Sequence, residues 1–332
     1  MLIALLMTAI ATPSTTQEIE FTGAKDLKMA GELMLPDGDG PFPCVLMMPG
    51  SGPTDRDGNQ PPMVMTNVLK QIADHLAKNG IATFRFDKRP AHKYMSQWPK
   101  TQDLSVYSDY FSFANHVADV ETAYQTMLKQ PKVDAKRTAL LGHSEGGLFA
   151  SWQAPRLNPK ALVLCGTAGD TMVSVIRFQV GESVRKATAP QELKDAIVAS
   201  NEETMKTIVE TGKLPATVHP NLAGLYNAAS LSLIHSYLTI DPIEPLKKYT
   251  GPVLVLNGEK DIQIRATVDA KRLFIAASSR SKTKQELAII PGASHTLKLL
   301  KYDKDPGFEG PVAPEALEKI TAFLKTQLTS AN

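Results

Sequence analysis

The chain has 332 residues, of which 43% are hydrophobic and 21% charged, with a formal net charge of +2. That length and composition support one large folded domain with a full core and exclude a disordered tail. The 36 basic and 34 acidic residues leave no basic footprint for nucleic acid, and the two cysteines, Cys44 and Cys165, form no CxxC or Cys/His cluster of the kind that holds zinc.

The first apolar run, Leu2 to Ala11, is too short to cross a bilayer. Ala9-Ile10-Ala11 fits the small-x-small rule for signal cleavage, and a polar Thr/Ser/Pro stretch follows. Residues 1–16 are therefore read as a signal peptide and the chain as exported, to the periplasm or beyond. No Lys or Arg precedes the run, so a buried N-terminal strand or helix is the competing reading. No later stretch is long and apolar enough to span a membrane.

Residues 17–332 read as the folded domain. "EIEFTG" and "KMAGELMLP" alternate as two strands of a hairpin. "PCVLMMPG" is a continuous apolar run, as suits a strand buried on both faces. A Gly/Pro/Asp loop, "SGPTDRDGNQPP", follows it. "MVMTNVLKQIADHLAKNG" has helical spacing and ends on an Asn-Gly cap. Next come strand "IATFRFD", helix "HVADVETAYQTMLKQP", strand "RTALLGH", helix "EGGLFASWQA" and strand "KALVLCG". Each cysteine lies in such a strand run, so both are expected as buried free thiols rather than a disulfide.

Strand and helix alternate, which is the pattern of a mainly parallel, doubly wound α/β sheet. The alternation stops at Gly166. From Ala168 to about Tyr249 no strand run occurs, and helix-like segments such as "QELKDAIVASNEETMKTIVETGK" and "NLAGLYNAASLSLIHSYL" dominate. Residues 168–249 are therefore read as an inserted helical subdomain. Strand "PVLVLNG", helix "TVDAKRLFIAAS", strand "KQELAIIPG" and a last helix from Pro314 to Leu328 complete the chain.

One turn carries a chemical signal. Gly142-His143-Ser144-Glu145-Gly146 has the form G-x-S-x-G between a strand and a helix, the context of a nucleophile elbow. A serine hydroxyl needs a base, and the base needs a group to fix its tautomer. In this type of sheet the chain order is serine, acid, histidine. Asp261 follows strand "PVLVLNG" and His295 follows strand "ELAIIPG", both at carboxyl ends, where sites form in such sheets. Glu259 is the rival acid. Of the seven histidines, only His295 follows a strand late in the chain. His143 is expected to pack beside the elbow, while His75 and His116 lie in amphipathic helices. The oxyanion needs two backbone donors. One is expected from Glu145, the other from the loop after "CVLMMPG", at Ser51 with Gly50 next. Asp55 and Asp57 read as turn formers in a salt bridge with Arg56, not as a metal site.

These segments together resemble the α/β-hydrolase fold serine hydrolases, in the carboxylesterase and serine aminopeptidase-like group. The likeness rests on "PGSGPTDRDGN" (49–59), "GHSEGG" (142–147), "NGEKDIQI" (257–264) and "PGASHTL" (291–297). The resemblance implies a helical cap carried by the insertion, Ser144, Asp261 and His295 as catalytic triad, and Ser51 and Glu145 as oxyanion donors. Relatives read like "DKRG-x-GKS" after the fourth strand. Here "DKRPAHKYMSQWP" replaces the glycine with Pro90-Ala91 and adds an aromatic loop, which is expected beside the pocket.

The expected activity is cleavage of a small-molecule carboxylic ester through an acyl-enzyme, with no cofactor, no metal, no nucleic-acid partner and no stable membrane span. The alternatives are an N-terminal-trimming peptidase, which needs cap carboxylates such as Glu182, Glu192, Glu202 or Glu203, and a silent ligand-binding member of the fold. Acyl length, alcohol and oligomeric state are left open.

Overall fold

The apolar runs assemble into one eight-stranded sheet in the order β1-β2-β4-β3-β5-β6-β7-β8. The strands are β1 (Thr15–Thr22), β2 (Lys28–Leu35), β3 (Phe42–Met48), β4 (Ala82–Phe86), β5 (Val133–His143), β6 (Ala161–Cys165), β7 (Val253–Gly258) and β8 (Glu286–Ile290). The computed structural model describes residues 14–279, 283–302 and 305–329. The apolar run from Leu2 and its Ala-Ile-Ala site lie outside the described residues. β1 and β2 form the antiparallel hairpin, and β2 joins β4 antiparallel. From β4 through β8 every pairing is parallel.

The helices are α1 (Val68–Lys78), α2 (Leu104–Tyr110), α3 (Phe113–Leu128), α4 (Glu145–Leu157), α5 (Met172–Lys186), α6 (Gln191–Thr211), α7 (Leu231–Thr239), α8 (Lys271–Ser278) and α9 (Pro314–Thr329). Successive strand residues point to opposite faces, so each central strand feeds two cores. Leu46, Phe84, Leu140 and Leu164 pack on one face with Leu148 and Phe149 of α4. Val45, Met47, Leu141 and Leu256 pack on the other with Leu69, Ile72 and Phe323. Cys44 and Cys165 are buried free thiols on β3 and β6.

Two expected helices are shorter in the structure. The run from Met63 becomes helical only at Val68, because the chain bridges Gln60 to Val64 and passes through Asn67 at φ 51° first. In "NLAGLYNAASLSLIHSYL" the regular helix starts at Leu231, after short turns at Pro220–Leu222 and Ala228–Ser230. The aromatic loop after β4 also contains a helix, α2, capped where Asp103 accepts the Ser105 amide at 2.9 Å.

Strand order places the site. The chain leaves β3 for β4 on one side, then returns to β5 on the other. The reversal opens a crevice at the carboxyl ends of β3 and β5, the usual ligand position in an open α/β sheet. Met48 pairs in register with Gly142, so the loop that begins at Pro49 and the turn that begins at Ser144 emerge side by side.

Arg89, just past β4, ties this edge to the hairpin. Its Nε and Nη2 donate to Asp119 of α3 at 2.9 and 2.7 Å, and Nη2 also donates to the Ala24 carbonyl at 2.7 Å. Asp119 in turn accepts the Ala24 amide at 2.8 Å. Removing one member of a buried pair leaves an uncompensated charge. Asp119→Ala is expected to lower the unfolding free energy by about 3–5 kcal/mol in urea denaturation. A loss under about 1 kcal/mol, the scale of a surface pair, would contradict this role.

Candidate active site

At the carboxyl end of β5 the chain turns into α4 through a single residue, Ser144, at φ 56° and ψ −122°. A non-glycine residue held there is strained by roughly 1–3 kcal/mol. The turn works only because backbone lies on backbone: a Cβ on Gly146 would come within 2.2 Å of the Met48 carbonyl oxygen. The Ser144 amide donates to the Cys165 carbonyl at 2.8 Å, and the Gly147 amide donates to the Ser144 carbonyl at 2.9 Å. The serine side chain is thus lifted above the sheet edge, at the positive end of α4.

Asp261 lies in the loop after β7. Its Oδ1 accepts the amides of Gln263 and Ile264, both at 2.8 Å. Its Oδ2 lies 2.8 Å from Nδ1 of His295, and both side chains are buried. A carboxylate only accepts, so Nδ1 is the donor in this contact. Glu259 points elsewhere, accepting the Gly292 amide at the surface.

Among the described residues no hydrogen bond joins Ser144 Oγ to the His295 ring. Residues next to each of them do meet. His143 donates from Nε2 to the His295 carbonyl at 2.9 Å, with the two ring centroids 4.8 Å apart. Gly166, which follows the carbonyl that holds Ser144, lies so close to His295 that a Cβ there would stand 3.2 Å from the imidazole. His143 packs beside the elbow as the sequence suggests.

Ser144, Ser51 and Glu145 line one cavity of about 630 Å³. Its walls are mainly apolar: Trp98 and Phe111 from the aromatic loop, Val175 and Ile176 of α5, Ile234 and Tyr237 of α7. Neither the Ser51 nor the Glu145 amide has an acceptor among the described hydrogen bonds.

The loop that holds Ser51 is pinned by charge. Asp55 Oδ1 accepts the amides of Asp57 and Asn59 at 2.9 and 2.8 Å, as a turn former does. The expected salt bridge between Arg56 and its neighbouring aspartates does not form. Arg56 instead pairs with Asp87 and Glu18, while Asp57 pairs with Arg85. Successive loop residues face different elements, so each finds its partner across the fold.

Lys88 and His116 were not legible as site residues, and of Glu145 only the backbone amide was. Lys88 and Glu145 form a buried ion pair. Burial, the largest influence, raises the Glu145 carboxyl, but Lys88, His116 and Tyr237 together hold it below its ordinary value. His116 stacks on Phe149 at 5.3 Å between centroids, and its Nδ1 donates to the Ser112 carbonyl at 3.0 Å. The buried "DKR" after β4 was the one available signal, since charges at the end of a central strand need partners.

The sequence pattern of the family described as "Serine aminopeptidase, S33" matches residues 65–299. The chain is 26% identical to the esterase EstD of Thermotoga maritima over 236 residues, 71% of this chain and 50% of EstD. It therefore spans about half the length of that curated relative. Among solved structures, the α/β hydrolase GrgF of a Penicillium species superposes with a TM-score of 0.59 at 18% identity, covering 95% of this chain and 100% of GrgF. The Pyrococcus furiosus esterase Pf2001 gives 0.59 at 14% identity, covering 95% and 92%. At those identities the structures establish the fold alone.

His116 and His143 give the molecule an acid limit. Burial lowers both to about 4, with the Lys88 charge next for His116 and the His295 charge next for His143. Their folded values lie below the ordinary 6.5, so the unfolded chain takes up protons first as the pH falls. Their stability contribution is full above pH 6.5 and drains towards pH 4, by roughly 3 kcal/mol per histidine. His116→Phe keeps the stack on Phe149 and removes one titration. Urea midpoints at pH 7.5 and 4.5 should differ less in that variant than in the parent chain; an equal difference would contradict the assignment.

Proposed function

The chain belongs to the serine aminopeptidase family of α/β hydrolases, whose pattern spans most of it, and from that premise we propose that it is a serine hydrolase cleaving carboxylic esters through an acyl-enzyme. The observation that carries this reading is the strained Ser144 on the cavity wall, with a buried histidine, held at Nδ1 by Asp261, packed on the preceding residue His143. An esterase name on the relative EstD supports the same chemistry.

In this reading His295 Nε2 takes the Ser144 proton as Oγ attacks the ester carbonyl. Asp261 stabilises the imidazolium that forms. The amides of Ser51 and Glu145 receive the oxyanion, aided by the α4 terminus. The C–O bond to the alcohol then breaks, and the leaving oxygen takes the proton from His295. Water, deprotonated by the same nitrogen, releases the acid and restores Ser144. The chemistry calls on no group outside the chain.

The peptidase alternative has less support. A free substrate ammonium needs a carboxylate in the cavity. Glu182 pairs with Arg185, Glu202 pairs with Arg177, and neither they nor Glu192 or Glu203 line it. Glu145 is the one carboxylate among the described lining residues, and Lys88 neutralises it. The apolar walls favour an uncharged acyl group.

Turnover of p-nitrophenyl butyrate should fall on the order of 10⁴-fold or more in Ser144→Ala and by about 10⁴ in Asp261→Asn, whose amide favours the wrong histidine tautomer. An aminoacyl anilide should turn over more slowly than the ester. Equal ester rates in Ser144→Ala and the parent chain would refute the proposal.

We also propose export, on the leader-like run from Leu2 to Ala11. When the full 332-residue chain is expressed, cell fractionation should find the product outside the cytoplasm, shortened at its N-terminus. Retention at full mass in the cytoplasm would contradict export.

A further inference from the structure

The proposed oxyanion donors lie on separate elements. Ser51 follows β3, and Glu145 opens α4. Nothing covalent fixes the distance between them. One side chain grips both segments: Lys88, in the loop just past β4. Its Nζ donates to the Gly50 carbonyl at 2.8 Å and pairs with the Glu145 carboxylate. The lysine is 5% exposed and the glutamate 8%, so the pair is sheltered from water and salt.

The peptide geometry gives this contact a consequence. The Gly50 carbonyl and the Ser51 amide belong to one planar trans peptide group, so they point in opposite directions. With the carbonyl held on the Lys88 ammonium, the Ser51 N–H points away from that ammonium, and both residues line the cavity. The same ammonium holds the first side chain of α4, whose amide is the second donor. We propose that Lys88 is a positioning residue that sets the direction of the Ser51 amide and the spacing of the two oxyanion donors; this rests on the serine-hydrolase reading above.

Desolvating an ammonium and a carboxylate together is often no better for stability than a hydrophobic pair. The cluster therefore has little reason to exist as a stabiliser alone. A point cation with three donors can serve a carbonyl and a carboxylate at once, which no apolar side chain does. Lys88 does not touch the reacting atoms in this account. Its effect is confined to states that bear an oxyanion.

Two variants test this. Lys88→Met leaves the Glu145 charge unpaired and is at risk of misfolding. Lys88→Met with Glu145→Gln removes both charges and retains the Glu145 backbone amide. For p-nitrophenyl butyrate, the double variant should lose roughly ten- to a hundredfold in kcat, with KM within about twofold. Inhibition by a trifluoromethyl ketone, whose adduct with the serine carries an oxyanion, should weaken by the same factor as kcat/KM. A KM-dominated loss, unchanged ketone inhibition, or a kcat within about twofold of the parent in the folded double variant would overturn the proposal. Ser144→Ala, run alongside, separates the two claims. If it too hydrolyses the ester, the serine-hydrolase reading fails. If it is dead while the double variant is fully active, only the role of Lys88 fails.

Discussion

Everything at this site depends on one backbone conformation, the positive φ of Ser144. The penalty for that conformation is met by contacts on three sides. The Met48 carbonyl packs against Gly146, the Cys165 carbonyl holds the Ser144 amide, and the Ser144 carbonyl caps the first turn of α4. β3 and β6 supply the first two of these contacts and the turn after β5 the third, and in parallel register the strand ends are level. A sheet with another strand order would not bring the three together. The strain is thus a product of the topology, and it is what lifts the serine out of the helix–strand packing and onto the cavity wall.

A second layer of order comes from charge. β4 and the residues after it carry Arg85, Asp87, Lys88 and Arg89, all buried. Each meets an opposite charge on a different element. Arg85 meets Asp57 and Glu32, Asp87 meets Arg56, Lys88 meets Glu145, and Arg89 meets Asp119. Two of these partners lie in the loop after Ser51, and one opens the helix after Ser144. Buried pairs of this kind add little net stability, but losing one partner is severe. They tie the loops at the sheet edge to β4 and the residues that follow it. The helices between β6 and β7 close the opposite side with apolar residues. A rigid polar floor thus faces an apolar roof.

Much of this architecture was legible in the amino-acid pattern. The parallel strands are continuous Val, Leu and Met runs, and such runs are hard to place anywhere except a doubly covered sheet. The positions of Ser144, Asp261 and His295 at strand ends followed from the same segmentation. The partners of charged loop residues were not legible. Arg56 lies between two aspartates and bonds to neither, because side-chain direction in an irregular loop has no period to read. Helix limits between β6 and β7 also escaped. Gly224 and Asn227 interrupt "NLAGLYNAASLSLIHSYL", and the packing of α7 against the cavity decides where the helix begins. The triplet Asp87-Lys88-Arg89 signals charges that need partners but does not say which. Only tertiary structure shows that it faces inward.

The most direct test of the central claim is to find where a covalent probe attaches. After reaction with a fluorophosphonate and proteolysis, mass spectrometry should place the added mass on the peptide containing Ser144, stoichiometrically. Boiling the protein first should abolish the label. Attachment to a different serine, or no attachment to natively folded protein, would contradict the assignment of the strained elbow as the nucleophile.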